Sequence, residues 1–118
     1  MDTKLLEERL KSHRYRIESA KTKSEKIIKW MDNEGEYTKV PLDMQLSDED
    51  MLALEKNIEQ TACGILGLSS LDDGIWRPFW NAAYKDWGRE HGPLTFWRHV
   101  FLQLNNTLEF LSYLESRI

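Results

Sequence analysis

One cysteine, three prolines and six glycines are all that this chain of 118 residues carries of the residues that staple, break or bend a backbone. The lone Cys63 cannot form an internal disulfide, so the fold must stand on its own core, and a reducing, cytoplasmic setting is expected. Within "TACGIL" it reads as a small buried hydrophobe, with no neighbouring His or basic cluster to activate it. Long apolar runs are missing too. Nothing approaches the roughly 20 residues that span a bilayer, and the charged opening "MDTKLLEERLKSHRYR" lacks the apolar stretch of a secretory signal. No membrane association is expected.

Sequence signatures of catalysis are equally scarce. A carboxylate-bridged metal bundle needs Glu three residues before His, and those positions before His13, His91 and His99 hold Leu10, Gly88 and Phe96. His-Glu-x-x-His, Cys-x-x-Cys, the phosphate-binding Gly-Lys-Ser/Thr and the Gly-x-Ser-x-Gly elbow are all absent. Glu55 and Glu59 share a helix face and Asp72 adjoins Asp73, but a magnesium cluster draws pairs from two helices, so a solvated acidic face is the expectation. No catalytic residue, metal or cofactor is therefore assigned.

Charge is abundant and unevenly spread. Residues 1–31 hold nine Lys/Arg against five Asp/Glu, residues 32–75 two against eleven, and residues 76–118 five against four. The basic first third and acidic middle can neutralise each other within one fold or across a dimer. Lys21, Lys23, Lys26 and Lys29 give the first helix a basic side, yet Glu18 and Glu25 interrupt it and the net charge is −4, which argues against nucleic acid.

Leu6, Leu10, His13, Ile17, Ala20, Ser24, Ile27 and Met31 alternate spacings of four and three, the repeat of one long helix from about 3 to 34 packed along a narrow seam, with Gly35 as its cap. At roughly 48 Å it exceeds the helices expected to cover it, so its far end should protrude or pair with a symmetry mate. Ser47 before Asp48, Glu49 and Asp50 starts a second helix, 47–66, with a stripe of Met51, Leu54, Ile58, Ala62 and Ile65 closed by Gly67. Pro78 and Pro93 suit helix first turns. They predict helices over 78–91 and 93–117, the last with Leu94, Trp97, Phe101, Leu104, Leu108, Leu111 and Ile118 at heptad spacing.

The expectation is one all-α domain, 1–118, a four-helix antiparallel bundle with a long N-terminal helix. Five Trp is high for this length, and four lie in "IWRPFWNAAYKDWGREHGPLTFW". Helical spacing directs Trp80, Trp87 and Trp97 inward as core. The remaining Trp and Arg exceed what such a core needs, and these types anchor interfaces. Trp76, Arg77, Tyr84, Arg89 and His91 are thus the expected partner-binding residues of a non-enzymatic protein-interaction or regulatory module that pairs with another protein or with itself, through the first helix or this segment. The alternatives are a small-ligand-binding or enzymatic bundle with a Trp-lined pocket, or a nucleic-acid-associated regulator.

Overall fold

The computed structural model describes residues 3–34, 45–80 and 92–118. These form an all-helical fold of three helices: α1 (Thr3–Glu34), α2 (Asp48–Leu66) and α3 (Pro93–Ser116). The long axis of the molecule, 48 Å, matches the length of α1. All eight seam positions of α1 are buried, from Leu6 at 7% exposure to Met31 at 8%. The seam is thus buried along the length of α1, where an exposed end was expected.

Local chemistry sets the helix ends. Ser47 is in extended backbone and its hydroxyl accepts the Asp50 N–H, while three acidic residues occupy the first turn of α2. Gly67, at φ 70, closes α2 in the left-handed region, and the Leu68 N–H returns to the Cys63 carbonyl. Gly92, at φ 82, precedes Pro93 at the start of α3. The expected Gly35 cap lies outside the described residues.

Ion pairs fix direction. Arg14 near the start of α1 reaches Glu115 near the end of α3 at 3.0 Å, and Asp32 meets Arg98 at 3.3 Å, so α1 and α3 are antiparallel. The contact between His13 and Thr61 sets α2 antiparallel to α1 in the same way. After α2 the chain must climb back before α3 can descend.

That return leg is where the fold departs from a four-helix bundle. Residues 78–80, where a third helix was expected to begin, are not helical, and residues 81–91 lie outside the described residues. The Trp80 N–H bonds the Glu55 carboxylate on α2. Residues 71–80 form a non-helical strap: a turn in which the Ile75 and Trp76 N–H groups return to the Asp72 carbonyl at 3.0 and 3.2 Å, then irregular backbone that bends at 79 and 80. Asp72 starts it with a turn, its carboxylate accepting the Gly74 and Ile75 N–H groups at 2.9 and 3.2 Å. The strap then aligns Trp76 with Thr107 and Phe110 of α3, and Trp80 with Phe96 and Trp97. The non-helical strap thus seats Trp76 and Trp80 ten helical residues apart on α3, about 15 Å from Thr107 to Trp97.

Candidate functional site at the strap and α3

Strap and helices are joined by polar groups buried among rings. Trp76 is 7% exposed; its ring stacks on Phe110 at 5.8 Å and its Nε1–H donates to Thr107 Oγ1 at 3.0 Å. Thr107 in turn donates to the Gln103 carbonyl at 2.8 Å. The hydroxyl proton goes back along the helix and a lone pair remains for the indole. The same device recurs on α2. Thr61 donates to the Asn57 carbonyl at 2.9 Å, which leaves His13 Nε2 as the donor to Thr61 Oγ1 at 3.0 Å. Burial first, then the Arg16 and Arg9 guanidiniums, hold the His13 pKa below its ordinary value.

Trp80 is gripped from α2 by two carboxylates, Glu55 on its backbone N–H and Asp48 on its indole Nε1 at 2.7 Å. Glu55 is buried at 6% exposure, so the expected solvated acidic face is corrected: this carboxylate is a ligand for backbone. Trp80 and Trp97 meet edge to face at 5.6 Å, and both are 2% exposed, as the inward reading of these indoles required. Trp87 lies outside the described residues. Cys63, expected to be buried, is partly exposed.

Of the five expected partner-binding residues, Tyr84, Arg89 and His91 lie outside the described residues. Trp76 and Arg77 come together with α3 at an open cleft of about 320 Å³ whose walls also include Asp73, Ile75, Gln103, Asn106 and Phe110. Trp76 forms its buried wall, whereas Arg77 is exposed. Arg77 is close enough to His99 to lower its pKa, second to partial burial. Neither Arg77 nor Asp73 has an ion-pair partner among the described residues. Gln103 is only 6% exposed and its Oε1 accepts from Asn106 at 3.4 Å; the buried side-chain donor without a partner among the described residues is the Trp30 indole Nε1.

Beside the cleft, α3 exposes a stripe of Leu102, Asn106, Glu109 and Tyr113, spaced to share one face. Leu102 is 53% and Tyr113 47% exposed, and Ile75 adds a third large apolar side chain at 40%. Tyr113 stacks on Phe110 at 6.3 Å, and Phe110 stacks on Trp76, so a column of rings runs from the buried strap to the surface. Reading the sequence missed this stripe because heptad spacing pointed attention to the opposite side of α3. The available signal was Leu102 and Tyr113 eleven residues apart, three full turns, outside the core repeat.

A larger cleft, of about 430 Å³, lies between α1 and the start of α2, where Arg16 and Lys23 face Asp50. It lacks the exposed apolar stripe found at the strap. Among the described residues no group of His, Cys, Asp and Glu could hold a metal ion, and no helix is long and apolar enough to cross a membrane. Comparison with protein families, curated proteins and solved structures finds no match.

Proposed function

We propose that the chain is a non-enzymatic protein-interaction module of a reducing, cytoplasmic setting, and that it docks its partner on the face shared by the strap and α3. The observation that carries this reading is the exposed apolar stripe: Ile75, Leu102 and Tyr113 stand in solvent beside a cleft into which Arg77, without an ion-pair partner among the described residues, opens. A docking surface needs apolar contact area with a few polar groups left to satisfy. The ring column of Trp76, Phe110 and Tyr113 holds that surface in place before any partner arrives, which lowers the ordering cost of binding. Packing also speaks against the Trp-lined pocket, since Trp76, Trp80 and Trp97 are filled around by other rings.

The test is site-specific photo-crosslinking in cells from position 102, compared with position 52, where Leu52 is similarly exposed on α2. A discrete adduct from position 102 that is absent from position 52, and is lost in Ile75→Asp, is the expected result. Equal, diffuse labelling from both positions would refute the assignment of this face.

A further inference from the structure

We infer that the partner on this face is a second copy of the chain, related by a two-fold axis passing near Ile75 and Asn106. This rests on the reading of the strap and α3 as the docking face. A two-fold interface presents one patch to itself, so residues at equal distances on either side of the axis must complement each other. The strap carries one charge of each sign on either side of Ile75 in sequence. Asp73 and Arg77 stand two residues to either side of Ile75; all three are exposed, and neither charge has an ion-pair partner among the described residues. Turning one copy over brings Arg77 to Asp73 of the other copy, twice, with Ile75 against Ile75 at the centre.

The helix obeys the same centre. Ile75 lies across the cleft from Gln103, Asn106 and Phe110, and the midpoint of Leu102 and Tyr113 falls between Thr107 and Leu108. With the two α3 helices antiparallel across the axis, Leu102 of one copy meets Tyr113 of the other, about 16 Å of helix apart within one chain. Asn106 then faces Glu109 of the other copy, and the Gln103 Nε2 donor lies within reach of that carboxylate. Unpaired charges of both signs and exposed apolar groups thus repeat on one centre in two independent segments. Since α1 already buries its own seam within one chain, the pairing surface is α3 and the strap rather than the first helix. The modest apolar area fits a reversible dimer.

Sedimentation velocity over a concentration series tests this on the full chain, on Asp73→Arg, on Arg77→Asp, and on an equimolar mixture of those two variants. The full chain should shift from 14.0 kDa toward twice that mass, and added salt should weaken the shift. Each variant alone opposes like charges twice and should dimerise about tenfold more weakly or worse. Their mixture pairs a chain with two cations at these positions with a chain with two anions, and should dimerise at least as well as the original. Ile75→Asp should be monomeric while keeping the full chain's circular dichroism. A chain that stays monomeric at every concentration overturns the inference, as does a dimer indifferent to the charge variants. If position 102 still crosslinks a different protein in that case, the docking face stands and only the two-fold pairing falls.

Discussion

Replacing Thr107 by Val tests the buried hydroxyl at the centre of the fold. Valine keeps the shape of threonine but removes the oxygen that accepts the Trp76 Nε1–H at 3.0 Å, together with the proton that oxygen donates to the Gln103 carbonyl at 2.8 Å. Thr107 is fully buried and Trp76 is 7% exposed, so water cannot readily replace that oxygen. An orphaned buried donor costs about 1–3 kcal/mol, and the added methyl recovers a fraction of this by apolar contact, leaving a net loss of about 1–2 kcal/mol. For a chain of this size that lowers the melting temperature by about 4–8 °C. Equilibrium urea unfolding should be followed by circular dichroism, because the second variant needed changes an indole. That variant, Trp76→Phe, deletes the donor. In its background Thr107→Val should be nearly neutral, since no orphan remains, and the cycle should give a coupling of about 1 kcal/mol. Equal costs of Thr107→Val in both backgrounds, or no cost in the original, would refute the role given to this oxygen.

Other perturbations follow from the same geometry. Because burial and the neighbouring guanidiniums depress the His13 pKa, protons bind the unfolded chain more readily than the folded one. Stability should therefore be full above about pH 6.5 and fall as the pH drops below it. His13→Gln, which keeps an amide donor for Thr61, should flatten that dependence in urea titrations at pH 5.5 and 7.5; an unchanged slope would place the effect elsewhere, with His99 the next group to test. Glu55→Ala should cost about 2 kcal/mol or more, because it orphans the buried Trp80 N–H, whereas Glu55→Gln retains an acceptor and should cost less. Unfolding midpoints that rank the two variants in the opposite order would show that the charge, rather than the acceptor, is what the site requires.

The parts of the fold legible in the sequence are those where one helix carries its own pattern. The seam from Leu6 to Met31 is buried at every expected position, including the polar His13 and Ser24. Ser24 returns its hydroxyl to the Ala20 carbonyl, and His13 meets Thr61, so neither breaks the seam. Ser47 and Gly67 bound α2 for reasons local to a few residues. The expected start of a third helix at 78 misled because Pro78 suits a first turn. Two contrary signals were present. Arg77 precedes a proline, which pushes it out of helical backbone, and no capping residue stands before Pro78 as Ser47 stands before Asp48. The burial of Glu55 was not legible at all, since its partner is a backbone N–H 25 residues further along the chain. At the candidate site, Arg77 and the wall formed by Trp76 were legible, but the α3 stripe was not, because its residues gain meaning only from the strap beside them.

The non-helical strap of residues 71–80 also changes what the surface can do. Its neighbours supply acceptors, the Glu55 carboxylate on the Trp80 N–H, Asp48 on the Trp80 indole and Thr107 on the Trp76 indole. Being narrow, it leaves one flank of α3 uncovered, so that Leu102, Asn106 and Tyr113 stay in solvent beside Ile75 and Arg77. The carboxylates and hydroxyl that hold the strap are thus the same groups that keep this face open and rigid. Loosening Trp80 from Glu55 should therefore weaken docking at Leu102 and Tyr113 through the Trp76, Phe110 and Tyr113 column, although Glu55 lies on a different helix from every exposed residue of that face.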